Sequence, residues 1–399
     1  MARIAFAWEL GGELGHGMAC AALARALRAR GHECAFAFRD LNKLDALDLG
    51  DAPVYQGPVS PHEGQGVGVP VCWADLLLGC GYGAADALQG LVAGWIEVLR
   101  ACRADLLVAD YAPTALLAAR ILGVMRVDYG NGFAIPPRLA PVPPFRMDAR
   151  IEPAQLAQRE AHALASVNAV LSRWKVPALR ALHEQLEVNE SFLCTFPELD
   201  HYGGRPRTAY WGPRYSIDKG DDIAWPYGEG PRVLVYLRAS DPRIDTVIDL
   251  LVQHRCRVAA YIPGLDAERR ARLQSAQRRV SERPMRLAPL LGECDLFLDH
   301  GGDVAGAGLM HGVPQLLFPA QYEQFLTAVR IEQLGAGVGL ARPDPGGEVR
   351  AAFGRMLADR ARHRAAAQAY RQRYASFSSA EQERRIVARI EQLVQEKTA

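Results

Sequence analysis

Two glycine-crowded stretches carry the residue types best suited to chemistry, "GGELGHG" at 11–17 and "LDHGGDVAGAGLMHGVPQ" at 298–315. His16 lies in the first. Histidine suits proton transfer because its ordinary pKa lies near working pH, and a plain structural turn is the competing role. In the second stretch, Gly301 and Gly302 lead into helical residues near Leu309. A helix start reached through glycines offers unpaired N–H groups and a favourable dipole to an anion, and a cofactor phosphate is the obvious guest. A packed turn with His300 satisfied by the backbone explains the same spacing. The first stretch also invites a dinucleotide-binding reading. It lacks the G-x-G-x-x-G order, however, and Asp40 after the next apolar run does not restore it.

Chemistry at these places needs a scaffold that sets both turns at strand ends. "RIAFAWE", "HECAFAFRD", "ADLLVADYAP" and "GVMRVDYG" read as apolar strands, interleaved with the helical "MACAALARALRARG", closed by Gly31, and "TALLAARIL". A long helix is predicted from about Pro153 to about Val188. After "YWGPRYSIDKGDDIAWPYGEGPR", dense in Gly, Pro and charge, the alternation restarts. "RVLVYLRA", "CRVAAYIPG", "CDLFLDHGG" and "VPQLLFPA" read as strands, "IDTVIDLLVQH" and "DAERRARLQSAQRR" as helices. Near-continuous apolar strands alternating with helices indicate parallel sheets covered on both faces. The prediction is an α/β protein of two Rossmann-like parallel-sheet domains facing a central cleft. The first domain takes 1–210, a linker 211–230, the second domain 231–375 and a C-terminal helix 376–399. Ligands of such sheets sit beyond the carboxyl ends of strands, where both turns fall.

Forty-six basic side chains against forty-five acidic leave a net charge of +1 over 399 residues. That balance predicts no nucleic-acid partner and no acidic membrane surface. Glu9 interrupts the short apolar start, which argues against a secretion signal, and no window approaches the roughly eighteen apolar residues of a membrane span. Eight scattered cysteines with no C-x-x-C pair predict neither a metal site nor a disulfide framework. The expected compartment is the cytoplasm.

From Pro284 to Leu340 the chain resembles the donor-binding signature of family 1 nucleotide-sugar-dependent glycosyltransferases, the UDP-glycosyltransferase and macrolide glycosyltransferase type. Pro284, His300, Gly301, Gly302, Gly312, Val313, Pro314, Pro319 and Gln324 match in order, with Glu323 in place of Asp. The resemblance implies the GT-B fold, with acceptor bound mainly by the N-terminal half and donor by the C-terminal half. It places the diphosphate at His300, Gly301, Gly302, Asp303 and Val304, with Ser240 and Arg238 nearby. Glu323 and Gln324 would hold the donor sugar, Pro284 and Met285 the nucleoside. Gly15-His16 matches the pair whose histidine is the family's general base, and Asp110 stands where the family sets its carboxylate partner. The last helix would pack back on the N-terminal domain. Departures are Val304 and Ala305 in place of hydroxyl-bearing residues, Gly308 in place of a ribose-binding glutamate, and Glu282 in place of a stacking tryptophan.

The function so implied is inverting transfer of a hexose from a UDP- or dTDP-linked donor to a hydroxyl or other nucleophile of a small-molecule or natural-product acceptor. No cofactor is expected beyond the nucleotide sugar as co-substrate, and no metal. The acceptor is unknown. Gly15, Trp73, Tyr82 and Phe133 are candidates to touch it, and core packing explains the three aromatic residues equally. Two other functions stay open: a sugar-nucleotide epimerase or hydrolase of the same fold, and a non-catalytic sugar-nucleotide binding partner.

Overall fold

The structure is a computed structural model that describes residues 1–398 except 13, 43, 62–67, 147–149, 216 and 341–346. The chain divides into two compact units, one of residues 1–197, 202–212 and 378–399, the other of 198–201 and 213–377.

In the first unit, β1 (Arg3–Trp8), β2 (Glu33–Phe38), β3 (Val54–Gln56), β4 (Leu106–Asp110), β5 (Met125–Gly130) and β6 (Glu190–Leu193) form a parallel sheet. The order is β3-β2-β1-β4-β5-β6. β4 is buried along its whole length and β1 at every residue but Arg3, as a sheet covered by helices on both faces requires. The C-terminal helix Ser379–Thr398 belongs to this unit. Its Ile386, Val387, Ile390 and Leu393 are buried in the same core as Leu23, Leu27 and Phe36.

In the second unit, β7 (Arg232–Tyr236), β8 (Arg257–Tyr261), β9 (Arg278–Ser281), β10 (Leu296–Asp299), β11 (Gln315–Leu317) and β12 (Gly337–Gly339) repeat the plan. All are parallel, in the order β12-β11-β10-β7-β8-β9. In each sheet the first and fourth strands are neighbours, and the chain's direction of travel across the sheet reverses between them. That is the switch point where doubly wound sheets open a crevice for ligands. Of the segment read as a linker, Trp211 packs on Phe192 in the first unit, ring centroids 4.9 Å apart. Residues 213–230 belong to the second, where Ile217 O accepts the Leu287 N–H at 2.8 Å and Asp221 O the Arg286 N–H at 3.0 Å.

Two helices are shorter than predicted. The first spans Pro153–Arg173 rather than reaching Val188. Lys175 turns left-handed at φ +57°, and Val176 precedes a proline, which disfavours helical backbone there. The second spans Ala267–Leu273, capped by Asp266, whose side chain accepts the Arg269 N–H. Gln274 is already extended, and its Oε1 accepts the Val280 N–H at 3.0 Å, turning the chain into β9.

Candidate active site

The turn after β1 enters the helix Leu14–Arg28, placing His16 in its first turn, while Asp110 is the last residue of β4. Because β1 and β4 pair with Trp8 opposite Asp110, residues 94 positions apart meet at the switch point. His16 Nδ1 lies 2.9 Å from Asp110 Oδ1, with the Asp110 side chain fully buried and that of His16 11% exposed. A carboxylate at this place pairs with an Nδ1 that carries the proton, the tautomer in which Nε2 has the lone pair. The imidazole stacks with Trp8 and with Tyr111, at centroid distances of 5.6 and 6.2 Å. Gly11 explains one glycine of this turn. Its φ is +80°, and a Cβ there would stand 2.7 Å from His16 Nε2. Tyr111 is also left-handed, at φ +49°, a costly backbone for an aromatic residue and the kind of strain that gathers at working sites. Such an arrangement can serve as a base, since the carboxylate sets the tautomer and supplies a counter-charge for an imidazolium.

Tyr111 continues into a row of rings, 6.0 Å to Phe133 and 5.3 Å from Phe133 to Phe145. Of the aromatic acceptor candidates, Trp73 and Tyr82 are core residues, 1% and 0% exposed. The Tyr82 hydroxyl pairs with Thr114 Oγ1 at 3.1 Å, and burial pushes its pKa well up. Trp73 also lines a small cavity with Tyr111 and Asp128. Gly15 is exposed on the helix beside His16. Sequence reasoning missed Tyr111, Phe145 and Glu9, although Glu9 and Tyr111 adjoin motifs already singled out.

In the second unit the carboxyl ends of β7, β10 and β11 converge on His300. Its Nδ1 donates to Phe318 O at 2.7 Å, and its Nε2 accepts the Arg238 N–H at 3.0 Å. Both ring nitrogens are thus committed to backbone, and burial pushes the imidazole pKa down, keeping it neutral. The following N–H, of Gly301, donates to Asp299 Oδ1 at 2.6 Å. Gly301 has φ +84°, and a Cβ would lie 2.7 Å from Gln324 O, so close backbone packing demands this glycine. Gly302 differs. It is the N-cap of the helix Asp303–Met310, and a Cβ there would meet nothing within 4 Å among the described residues. The first-turn N–H groups of that helix, from Asp303 and Val304, have no intrahelical acceptor. Arg238 and Ser240 are exposed on the loop that His300 tethers.

Gln324 Oε1 accepts the N–H groups of Ala320 and Gln321 at 2.9 and 3.2 Å, capping the helix Tyr322–Gln333, on which Glu323 is half-buried. Met285 lies in the core at 2% exposure, while Pro284 beside it is exposed and its carbonyl accepts the Asp221 N–H. A buried pair unforeseen from sequence braces this end. Arg243 donates to both Asp241 oxygens at 2.8 and 2.7 Å and to Leu340 O at 2.9 Å, with its guanidinium over the Phe318 ring. Among the described residues no group of three or more His, Cys, Asp or Glu is placed to hold a metal ion, and no single helix is long and apolar enough to cross a membrane.

Residues 246–393 match the family described as the C-terminal domain of erythromycin biosynthesis protein CIII-like proteins. A 56-residue stretch is 43% identical to NDP-glycosyltransferase YjiC of Bacillus subtilis (strain 168) and spans 14% of each protein. Among solved structures, the kitacinnamycin glycosyltransferase aligns with TM-score 0.68 and 21% identity over 98% of this chain and 99% of its own. Glycosyltransferase VinC in complex with dTDP aligns with TM-score 0.67 and 15% identity over 97% and 100%. Residues 246–393 thus resemble the erythromycin-biosynthesis CIII-like C-terminal domain, and the chain has the two-sheet GT-B fold of these solved glycosyltransferases.

Proposed function

We propose that this protein is an inverting glycosyltransferase, moving a hexose from a UDP- or dTDP-linked donor to a hydroxyl or other nucleophile of a small natural-product acceptor. The observation that carries this reading is the 2.9 Å contact of His16 Nδ1 with a buried carboxylate, which leaves Nε2 as the proton acceptor. As the acceptor oxygen bonds to the anomeric carbon, its proton passes to His16 Nε2 and the bond to the diphosphate breaks. Attack opposite the leaving group inverts the centre. Asp110 stabilises the imidazolium. The departing charge is met by the first-turn N–H groups of the helix Asp303–Met310 and by the Arg238 guanidinium. His300 in this reading positions Arg238 rather than touching the diphosphate. Glu323 and the Gln324 amide N–H₂ serve the donor hydroxyls, and Pro284 with its neighbouring backbone faces the nucleoside.

The test is incubation with UDP- and dTDP-glucose and a panel of hydroxylated aromatic and polyketide acceptors. The expected result is acceptor-dependent release of nucleoside diphosphate and a product of inverted anomeric configuration by NMR. Release equally fast without acceptor would favour a hydrolase or epimerase. Failure of both nucleotides to bind would overturn the donor assignment.

A further inference from the structure

Glu9 takes no part in the proton transfer just described, yet it joins the two pieces of chain on which that transfer depends. It follows β1 immediately and is 3% exposed. Its Oε2 accepts the N–H groups of Thr114 at 2.8 Å and Ala115 at 3.4 Å, across 105 and 106 positions. These are first-turn donors of the helix Pro113–Leu122, which begins three residues after Asp110 and whose N-cap, Ala112, has no side chain able to cap. A helix start needs an acceptor for such donors, and an oxygen there is favoured by the dipole as well. The main chain runs alongside. Leu10 N–H donates to Tyr111 O at 2.9 Å, and Arg39 Nη1 donates to Glu9 O at 3.0 Å from the end of β2. Residues 8–11, which shape the turn holding His16, are thereby fastened to residues 110–115, which begin with Asp110.

We infer that Glu9 is a positioning residue: by capping the helix after β4 from the end of β1, it sets the spacing of His16 and Asp110. Its catalytic consequence rests on the reading of that pair as the base. Glu9 works through an acceptor oxygen, which both its charged and its neutral carboxyl supply. Burial pushes its carboxyl up to about 7 against the pull of the Thr114 and Ala115 N–H groups and Arg39, and a neutral carboxyl still accepts through its carbonyl oxygen. Glutamine should therefore replace it. Aspartate, one methylene shorter, should not.

The experiment uses the full chain with ¹⁵N-labelled histidine and observes the His16 Nδ1–H proton, assigned by its disappearance in His16→Gln. The signal is expected in the wild type and in Glu9→Gln, and is expected to be lost in Glu9→Ala and Glu9→Asp. Affinity for dTDP, held by the other unit, should not change in any of them. Turnover should fall on the order of 100-fold in Glu9→Ala and Glu9→Asp, the usual consequence of an ångström's misplacement, and recover in Glu9→Gln. An intact signal in a folded Glu9→Ala or Glu9→Asp would overturn the inference, as would its loss in a folded Glu9→Gln. Should Glu9→Ala not fold, the other two variants decide. A wild-type signal that follows Glu9 as expected, joined to normal turnover in His16→Ala, would refute the base and leave the positioning standing.

Discussion

His16 and His300 each lie beyond the carboxyl end of a strand bordering a switch point, and each commits Nδ1 to an oxygen. For His16 that oxygen is the carboxylate of Asp110, for His300 the carbonyl of Phe318. A carboxylate supplies a counter-charge when the ring takes up a proton, whereas a carbonyl in a buried setting leaves the cation poorly supported. The second nitrogen divides them further. His300 Nε2 accepts the Arg238 N–H, and a Cβ on Gly11 would stand 2.7 Å from His16 Nε2. In the proposed reading one ring gains a proton, and the other holds a loop.

This contrast can be broken experimentally. The largest effect is expected in His16→Ala, where turnover should drop about 10²–10⁴-fold. Its nucleotide affinity, by titration calorimetry, should barely move, while its melting temperature should fall because the buried Asp110 carboxyl loses its partner. Comparable losses in nucleotide affinity would show that the two histidines are not divided in this way. Next comes Gly11→Ala, which sets a methyl against Nε2 on a left-handed backbone. Turnover should fall clearly, and urea unfolding should show a loss of about 1 kcal/mol or more.

His300→Ala should differ from His16→Ala in acting on nucleotide binding rather than on proton transfer. It strands a backbone N–H and a carbonyl, so stability should drop by about 1–3 kcal/mol. Nucleotide binding should weaken as the Arg238 loop loosens, and the pH dependence of turnover should keep its shape. An altered acid limb would give His300 a proton-transfer role. Gly302→Val sharpens the donor side, since among the described residues no atom lies within 4 Å of where its Cβ would go. UDP and dTDP affinity should weaken while the melting temperature holds to within the small cost of a poorer cap.

The smallest effect concerns Asp299, whose carboxyl burial pushes from 3.8 up to about 7. The folded state favours its neutral form, so this contribution to stability is complete below the ordinary carboxylate range and is lost as pH rises through about 7. Asp299→Asn can still accept the Gly301 N–H and should flatten that part of the melting-temperature profile. A profile identical to wild type would mean that other groups set the pH dependence.

Eight strands were legible as apolar runs, namely β1, β2, β4, β5, β7, β8, β10 and β11. The four that escaped, β3, β6, β9 and β12, are the edge strands of the two sheets. They are only three or four residues long and partly exposed, so they show no apolar run, and their extended backbone is fixed by the neighbouring strand. The helices read as too long both ran on toward such strands, β6 and β9. At the candidate site the residue types and the strand ends were readable, and the resemblance named His16 and Asp110 together. The adjacency of β1 and β4 is what brings them into contact. Trp73, Tyr82 and Met285 were eligible for ligands by type, and packing put them inside. The sequence by itself determined which segments are buried and where glycine interrupts them, because periodicity and backbone freedom are local properties. Only the tertiary structure decided that Gln324 caps a helix, that Glu9 caps another from 105 positions away, and that His300 is a strut. What a polar atom does depends on the atom facing it, and here that atom comes from another part of the chain.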